Sequence, residues 1–314
     1  MPTRPPKIVV VGSANTDLVM RVRRLPRPGE TVLGGTFAAV PGGKGANQAV
    51  AAARAGGQTT FVAKVGTDAM GDAAVAAYRT VGIDTTHVTR HATSPSGVAL
   101  IVVDEHGENA IAVASGANEL LLPDDVDRAR AAIVSADVLL LQLEVPLETV
   151  RHAIAVAAAA GVRVLLNPAP ARPLDESLLS RVWLVTPNET EAAMLTGGST
   201  ADLDAAAAAV SLRARGPRGV VITLGARGAL ALDSRTCLHL PAHPVQPVDT
   251  VAAGDVFNGC LAVAVAEGRD LADAVRFATA GAALSVTRRG AQDSAPSRPE
   301  IDALVAAGLP AFPR

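Results

Sequence analysis

Residues 138–167 read VLLLQLEVPLETVRHAIAVAAAAGVRVLLN and contain one complete strand–helix–strand unit. The continuous apolar run Val138–Leu143 and the β-branched run Val162–Leu166 predict two buried strands. Between them, the alanine-rich stretch Thr149–Ala160 predicts a helix. This order is typical of a βαβ unit, in which a crossover helix joins two parallel strands.

The same alternation of short apolar runs and alanine-rich stretches extends through most of the chain. Continuous apolar strands fit a sheet that is buried on both faces. We therefore predict an α/β fold with a parallel sheet between two layers of helices. Further predicted strands are Ile8–Val11, Thr60–Val65, Val182–Val185 and Val220–Leu224, and further predicted helices are Ala46–Ala55, Asp72–Val81 and Asp202–Ala214.

Two segments break this rhythm and lack helical periodicity. Asp17–Val40 contains short β-branched runs with glycine turns, and Gly97–Ser115 has the pattern of a hairpin that turns near residues 104–109. We predict that the two segments form a small β-sheet outside the main domain, and a lid over a binding site is the functional interpretation. Two ordinary surface hairpins are the alternative.

Composition excludes several classes of function. The chain has 314 residues with 49% hydrophobic and 2% aromatic residues, and 28 basic against 30 acidic residues give a net charge of -2. Such a balance offers neither the basic surface nor the stacking aromatics that nucleic-acid binding uses. The two cysteines do not form a redox or metal motif. No apolar stretch reaches membrane-spanning length, so no membrane partner is expected and a cytoplasmic location is predicted.

Polar residues follow several of the predicted strands. In open parallel sheets, ligands bind beyond the carboxyl ends of the strands. Any one such residue has the ordinary role of a loop or helix-cap residue, but a row of them along one edge predicts a binding crevice. The row consists of Asn15, Asp17, Glu144, Asn167, Asn188 and Thr223.

The segment Asp249–Asp255, DTVAAGD, precedes a stretch that predicts a helix. Small residues at a helix start let backbone N–H groups approach an anion, and the helix dipole adds about half a positive charge there. Asp255 then has two interpretations. It is either a simple helix cap or a base placed where phosphate charge develops.

Other nucleotide and metal sites are excluded by their spacing. Residues 40–45, VPGGKG, lack the first glycine and the Ser or Thr of a P-loop, and the turn after the first strand lacks the glycines of a dinucleotide fingerprint. Residues 41–48 remain as a glycine turn that runs into a helix, which is either a plain strand-to-helix turn or one with backbone open to a ligand such as a sugar. The His87/His91 pair lies in a non-helical stretch, so it does not predict a metal site.

Together these motifs resemble the ribokinase-like carbohydrate kinases, the PfkB family, over nearly the whole chain. Many separate matches in the family's own order make the resemblance specific. The matching stretches are GSANTD (12–17), GGKGANQAVAA (42–52), LQLE (141–144), NPAPAR (167–172), TPNETE (186–191), ITLG (222–225), DTVAAGDVFNG (249–259) and VTRRGAQ (286–292).

The resemblance implies a doubly wound α/β main domain and a β-sheet lid. The main domain would comprise residues 1–14, 42–95 and 116–314, and the lid residues 15–41 and 96–115. Lids from two chains would clasp into a homodimer. The implied reaction is the transfer of the γ-phosphate of ATP to the primary hydroxyl of a sugar, with ribose as the favoured acceptor.

The resemblance also assigns roles to individual residues. Asp255 would take the proton from the sugar hydroxyl, and the start of the same helix would form an anion hole. The sugar pocket would comprise Asn15, Asp17, Gly42, Gly43, Lys44, Asn47 and Glu144, and the anion hole Ala252, Ala253 and Gly254. Asn188 and Glu191 match a motif linked to Mg²⁺ and phosphate, and Thr223, Gly225, Ala226, Arg227 and Gly228 fall where the nucleotide binds. A K⁺-type site would use Asp249, Ser294 and the carbonyls of Val251, Ser285, Arg288 and Gly290.

Two departures from the family pattern matter. Ala252-Ala253-Gly254-Asp255 stands where many members have Gly-Ala-Gly-Asp, and this form favours the ribose-phosphorylating members. Thr279 stands where His or Asn is common near the adenine, which leaves base recognition open. Other sugar or nucleoside kinases of the family, such as deoxyribokinase or fructokinase, remain alternatives, as does a non-catalytic sugar sensor on the same fold.

Overall fold

The computed structural model describes residues 4–235 and 237–308. In these ranges the strands are β1 Lys7–Val11, β2 Asn15–Arg21, β3 Thr36–Gly42, β4 Gln58–Gly66, β5 Val88–His91, β6 Gly97–Val103, β7 Asn109–Ala114, β8 Val138–Leu141, β9 Arg163–Leu166, β10 Leu184–Val185, β11 Gly219–Thr223, β12 Ala229–Leu232 and β13 Cys237–Leu240. The α-helices are α1 Lys44–Arg54, α2 Ala69–Thr80, α3 Pro123–Arg128, α4 Arg130–Val134, α5 Leu147–Ala159, α6 Glu176–Leu179, α7 Glu189–Thr196, α8 Ala205–Ala214, α9 Ala253–Ala266, α10 Leu271–Ser285 and α11 Arg298–Ala307.

The large sheet has nine strands in the order β13-β12-β11-β10-β9-β8-β1-β4-β5. All neighbours from β5 to β11 run parallel, and only the pairs β11–β12 and β12–β13 are antiparallel. The predicted mostly parallel α/β sheet is therefore confirmed. The parallel arrangement brings the carboxyl ends of these strands to one edge, where the candidate site lies.

Helices cover both faces of the sheet and create two hydrophobic cores. In β1 the side chains alternate between the cores, because successive side chains of a strand point to opposite faces. Ile8 and Val10 pack in the core that contains α1, α2, α9, α10 and α11. Val9 and Val11 pack in the core that contains α3 to α8. This double burial explains why the strands are continuous apolar runs.

A separate four-stranded sheet has the order β3-β2-β6-β7. β2 pairs parallel with β6, and the pairs β2–β3 and β6–β7 are antiparallel. The two segments that lack helical periodicity thus pair with each other, as predicted, in a small sheet outside the main one. We call this sheet the small sheet.

Most predicted elements are present with ends shifted by a few residues. The helix predicted at Asp72–Val81 begins earlier, at Ala69, because the Asp68 side chain caps it by accepting from Gly71 N at 2.8 Å. The edge strand β5 and the hairpin β12–β13 were not predicted. In β13 three of four residues are exposed, so it lacks a buried apolar pattern. Of the helices that the structure describes, none has the length and apolar character to cross a membrane.

Candidate active site

Asp255 lies in the first turn of α9, at the carboxyl-end edge of the large sheet, and is 6% exposed. Its two carboxylate oxygens accept from side-chain amides of adjacent residues in α1. Asn47 Nδ2 donates to Oδ2 at 2.9 Å, and Gln48 Nε2 donates to Oδ1 at 2.9 Å. The carboxylate is therefore fixed in one orientation, with its lone pairs only partly used.

A chain of buried amides holds Gln48 in turn. Its Nε2 also donates to Asn167 Oδ1 at 3.0 Å, and its Oε1 accepts from Gln142 Nε2 at 2.5 Å. Asn167 Nδ2 donates to the carbonyl oxygen of Thr186 at 2.9 Å. Gln48 and Gln142 are fully buried. Because each amide has a partner that fixes its direction, Gln48 can only donate toward Asp255.

Burial raises the pKa of Asp255, and this effect is only partly offset by the positive charge of Lys44 and the amide donors of Asn47 and Gln48. A carboxylate with a raised pKa is a stronger proton acceptor than a free aspartate. Lys44 shows the opposite balance. Burial lowers its pKa, but Asp255 and Glu144 among the surrounding carboxylates outweigh this and raise the pKa overall.

The backbone directly before α9 is strained, and N–H groups at the start of this helix have no hydrogen-bond partner in the part of the chain that the structure describes. Ala252 adopts a left-handed conformation with φ 58°, and no other non-glycine residue among those described has positive φ. Such conformations cost energy in residues with a Cβ and cluster at functional sites. Ala253 N–H donates to the Thr250 carbonyl at 3.3 Å, whereas the N–H groups of Ala252 and Gly254 have no protein acceptor in the described ranges. The space above Gly254 is open, so an anion can approach these groups.

The predicted sugar residues gather on the neighbouring loops. Glu144, after β8, accepts at Oε2 from the Ser13 hydroxyl at 2.5 Å and from the Lys44 backbone N–H at 2.9 Å. Gly43 has φ 87°, and a Cβ there would contact the Asn15 backbone at 2.7 Å. The glycine turn thus brings the start of α1 against the start of β2.

Asp17 lies on β2 against the same turn. A Cβ at Gly42 would overlap its carboxylate, so the glycine makes room for it. Burial and the nearby charges of Glu144 and Asp255 raise the pKa of Asp17 to about 6, although Lys44 opposes the shift. Asp17, Lys44, Glu144 and Asp255 therefore share one electrostatic environment with three carboxylates and one cation.

The Asn47 side chain forms more hydrogen bonds to the protein than a residue that only binds sugar would need. Besides its bond to Asp255, its Oδ1 accepts from Gln292 Nε2 at 3.3 Å. One Nδ2 hydrogen remains for another acceptor. Asn15 is 8% exposed and its Oδ1 accepts from Asn118 Nδ2 at 2.7 Å.

The predicted phosphate residues Asn188 and Glu191 form a capping box at the start of α7. Glu191 N–H donates to Asn188 Oδ1 and Asn188 N–H donates to Glu191 Oε2, both at 2.8 Å. The second carboxylate oxygen of Glu191 has no hydrogen bond within the described ranges, and burial raises the pKa of this group. Asn188 also bridges to Thr223 at the end of β11. The pair fits Mg²⁺ held jointly with phosphates, since that ion needs only one or two carboxylates beside them.

The turn after β11 contains Gly225, Ala226, Arg227 and Gly228, with Gly225 at φ 56° and Gly228 at φ 94°. A side chain at Gly228 would overlap the Leu240 carbonyl of β13. Arg227 forms an ion pair with Glu189, next to Asn188. The turn therefore lies beside the predicted phosphate residues.

Thr279 lies in α10 and is buried, and its hydroxyl has no hydrogen-bond partner in the described part of the chain. An unpaired buried hydroxyl is costly, and a bound polar group would satisfy it. This observation fits a role for Thr279 in ligand contact, as its sequence position implies.

The predicted cation residues come from two loops that Asp249 joins. Its Oδ1 accepts from Val251 N–H at 3.0 Å, and its Oδ2 accepts from Gly290 N–H at 3.1 Å. The Val286 carbonyl accepts from Asp249 N–H at 3.1 Å, which ties the loops again. These bonds hold the two loops together, and carboxylate and carbonyl oxygens are the ligand types that a hard cation takes. The remaining predicted cation residues, Ser285, Arg288 and Ser294, lie in the second loop or at its start. Both serines are buried.

The residues that hold Asp255 and Asn15 in place were not predicted. Gln48, Gln142 and Asn118 are buried polar side chains that contact candidate site residues. Gln48 and Gln142 lie inside the quoted family motifs, so the motifs contain a signal for them. Asn118 follows the small sheet in a stretch without a recognisable motif.

Comparison with known proteins assigns this chain to a family. A family model described as pfkB family carbohydrate kinase matches residues 5–298. A ribokinase from Haemophilus influenzae is 44% identical over 93% of this chain and 96% of its own length. A deoxyribokinase from Salmonella typhi is 42% identical over 92% of this chain and 95% of its own length.

Solved structures agree with this grouping. The structure of Arabidopsis thaliana ribokinase complexed with ribose and ATP has a TM-score of 0.88, 32% identity, and coverage of 96% of this chain and 99% of that one. A ribokinase from Thermotoga maritima has a TM-score of 0.88 and 39% identity with the same coverage. This chain belongs to the pfkB family of carbohydrate kinases.

Proposed function

We propose that this chain is a ribokinase, which transfers the γ-phosphate of ATP to the 5-hydroxyl of D-ribose. The observation that carries the proposal is the buried Asp255 carboxylate, oriented by two amide donors beside the free N–H groups of Ala252 and Gly254. A base and an anion-binding helix start thus lie within one turn of chain. Relatives about 40% identical that are named ribokinase support ribose as the acceptor.

Asp255 acts as the base in this proposal. It accepts the proton of the sugar hydroxyl as that oxygen attacks the γ-phosphorus, and the bond from the γ-phosphorus to the β,γ-bridging oxygen breaks to release ADP. The raised pKa of Asp255 favours proton uptake during this step. Gln48 and Asn47 keep the carboxylate pointed at the acceptor, which lowers the entropic part of the barrier.

The start of α9 stabilises the transferring phosphoryl group. The free N–H groups and the helix dipole offer positive potential where negative charge builds up on the equatorial oxygens, and Ala253 completes the anion hole once its long bond to Thr250 is exchanged. Glu191 and Asn188 hold Mg²⁺, which offsets the charge of the nucleotide phosphates when bound. Thr223 and the turn 225–228 line the nucleotide side, with Thr279 near the base.

The sugar is held by residues on the loops that face Asp255. Asp17 accepts from sugar hydroxyls, and Asn15, Lys44 and Glu144 add further polar contacts around the ring. Backbone at Gly42 and Gly43 leaves room for the sugar because no side chain extends there. Asn47 contributes the Nδ2 hydrogen that it does not spend on Asp255.

A monovalent cation of the K⁺ type would bind between the loops that Asp249 joins, held by Asp249, Ser294 and the carbonyls of Val251, Ser285, Arg288 and Gly290. Its role is indirect. Because the loop 249–252 leads into the anion hole, a cation there holds the N–H groups of Ala252 and Gly254 in position.

The small sheet is the lid of the site and also the dimer interface in this proposal. It comprises residues 15–41 and 96–115, and the main domain comprises the rest. Its strands expose large apolar side chains on both faces: Phe37 and Leu100 on one, and Ile111 and Val113 on the face that Asp17 shares. Exposed apolar patches of this kind mark interaction surfaces, and a second copy of the same sheet would cover them.

The proposal is tested by a coupled assay of ADP release with ribose, deoxyribose, fructose and adenosine as separate acceptors. The expected result is the highest kcat/KM with ribose. Preference for deoxyribose would favour the second candidate, a deoxyribokinase, which the 42% identical relative from Salmonella typhi supports. No sugar-dependent ADP release with any acceptor would remove the proposed activity.

A further inference from the structure

Asn118 occupies a single 3-10 turn, Gly116–Leu120, where the chain returns from β7 of the small sheet to the main domain. It is 2% exposed, and its side-chain amide forms three hydrogen bonds to residues 14 and 15. Oδ1 accepts from Ala14 N–H at 2.9 Å, while Nδ2 donates to the Ala14 carbonyl at 3.2 Å and to Asn15 Oδ1 at 2.7 Å. Both Nδ2 hydrogens and one lone pair of Oδ1 of Asn118 are thus used by residues at the start of β2.

The direction of these bonds follows from one backbone group. The N–H of Ala14 can only donate, so the atom of Asn118 that faces it must be the carbonyl oxygen Oδ1. The other side of the amide is then Nδ2, which can only donate. Whatever atom of Asn15 faces Nδ2 must therefore be its oxygen, Oδ1.

This relay leaves Asn15 Nδ2 as the free end of the Asn15 side chain. In the ranges that the structure describes, no protein acceptor contacts it. Asn15 is thus presented to the pocket as a donor, whereas the carboxylate of Asp17, two residues along on the same face of β2, is an acceptor. The pair matches a sugar hydroxyl or vicinal diol, which accepts from one group and donates to the other.

The junction around the Asn15 and Asn118 amides is closely packed. Gly97 is in register with Asn15, and a Cβ at Gly97 would overlap both Asn15 Oδ1 and Asn118 Nδ2. The chain enters the small sheet at the start of β2 and at the start of β6, and it leaves the sheet after β7. These three passages lie together at residues 15, 97 and 118. A movement of the small sheet would therefore change the position of the Asn15 side-chain amide.

We propose that Asn118 is a positioning residue for sugar binding, which fixes the amide of Asn15 so that Nδ2 is the atom offered to a sugar hydroxyl. The inference rests on the proposed function, since it assigns the polarity of one contact in the same site. It also makes that contact depend on a residue that does not touch the sugar.

Asn118→Asp tests the proposal because it reverses the polarity of the relay at nearly constant side-chain size, although it also adds a charge and removes the bond from Nδ2 to the Ala14 carbonyl. One carboxylate oxygen still accepts from Ala14 N–H, but the other now faces Asn15, which must rotate its amide to donate and so turns Oδ1 toward the sugar. The KM for ribose should rise about 10- to 100-fold, the range expected when a hydrogen bond to a buried polar partner is lost. The KM for ATP should stay within about twofold, because the nucleotide residues lie on other loops.

The matched control is Asn109→Asp, which makes the same chemical change at an exposed position of the same sheet. It should leave the KM for ribose unchanged. In an Asn15→Ala background, Asn118→Asp should no longer change the KM for ribose, because the residue through which it acts is gone. A purely structural role for Asn118 would instead lower the melting temperature and leave the ribose KM unaffected in both backgrounds.

If Asn118→Asp does not fold, the variant Asn15→Asp tests the proposal instead. It leaves Asn118 in place and replaces only the free Nδ2 by an acceptor oxygen, so the ribose KM should again rise at least about 10-fold. A ribose KM within twofold of wild type in a folded variant overturns the proposal while the wild-type kinase activity stands. Absence of ribose-dependent ADP release in the wild type overturns the proposed function and this inference together.

Discussion

Gln48 Nε2 donates a hydrogen bond to Asp255 Oδ1 at 2.9 Å, although the two residues are 207 positions apart in the chain. The bond joins the middle of α1 to the first turn of α9, across one of the two hydrophobic cores. Both side chains are buried, so water does not compete with it. The carboxylate of Asp255, the proposed base, therefore cannot change its direction without breaking a chain of buried amide hydrogen bonds.

Replacing Gln48 by Met should move the pH profile of kcat/KM. The Gln48 amide stabilises the charged form of Asp255, so its loss raises the pKa of Asp255 and shifts the acidic limb to higher pH. A hydrogen bond to a charged group contributes about 1.5–3 kcal/mol, which corresponds to a shift of roughly one pH unit or more. We also expect kcat at neutral pH to fall about 10-fold.

Gln142→Met is the matched control for this change, because it removes only the contact one step further from Asp255. Its acidic limb should move less than that of Gln48→Met. The pH dependence of kcat/KM, measured for all three proteins, decides the matter. An unmoved limb in a folded Gln48→Met enzyme would contradict the role assigned to the amide chain.

Asp17→Asn should weaken ribose binding and abolish part of its pH dependence. The pKa of Asp17 is about 6 in the folded protein, so the wild-type carboxylate becomes protonated as the pH falls through 6. The wild-type KM for ribose should therefore rise below pH 6, whereas the variant should have a high KM that does not change across this range. Identical pH profiles of the two enzymes would contradict the assignment.

The same substitution should stabilise the protein at high pH. Because the pKa of Asp17 lies above its ordinary value of 3.8, the folded state binds more protons between pH 4 and 6, and stability is lost as the pH rises through this window. At pH 8 the variant should be more stable by about 1–3 kcal/mol, and at pH 4 the difference should vanish. Thermal unfolding at both pH values measures this, with Asp273→Asn, a surface residue paired with Arg276, as the control.

Potassium should raise kcat above the value in sodium, and Asp249→Asn should remove the difference. In the variant an amide nitrogen replaces one carboxylate oxygen, so one of the two bonds that Asp249 accepts, from Val251 N–H or from Gly290 N–H, is lost together with the negative charge of the side chain. Rates in KCl, NaCl and choline chloride at equal ionic strength make the comparison. Asp293→Asn, exposed in the same loop, is the matched control. Equal rates in all three salts for the wild type would contradict the cation site.

A molar mass near twice the 31.7 kDa of the chain is expected in solution, because the small sheet exposes apolar residues on both faces. At least one of Leu100→Lys and Ile111→Lys should shift the protein toward the monomer, since a buried lysine is costly in such an interface. Val210→Lys, at an exposed position of α8 in the main domain, is the control and should leave the mass unchanged. Light scattering after size exclusion gives the masses, and a monomeric wild type would contradict the proposed dimer.

The sequence predicts the fold correctly for physical reasons, and it indicates Asp255 as a candidate site residue. Strands buried on both faces must be continuous apolar runs, and β8 and β9 are recognisable from Val138–Leu141 and Arg163–Leu166 alone. The small residues before α9 indicate an anion-binding helix start, but by themselves they leave Asp255 as either a helix cap or a base. Short exposed strands such as β13 carry no such pattern, so they appear only in the structure.

The supporting residues could not be deduced in this way. Gln48 lies in an alanine-rich helix, where a polar side chain ordinarily faces solvent, and only the fold brings it to Asp255. Asn118 depends on the crossing of three chain segments at the edge of the small sheet. Local pattern predicts which residues do chemistry, whereas contacts between distant segments determine how those residues are held.

The most direct test of the account is the turnover of Asp255→Asn. The substitution keeps the size of the side chain but removes the proton acceptor, so kcat for ADP release with ribose should fall at least about 100-fold, the lower end for a general base. Ribose binding, measured by calorimetry, should stay within about 10-fold, because the pocket residues remain. A folded Asp255→Asn enzyme with near-normal kcat would contradict the assignment of Asp255 as the base.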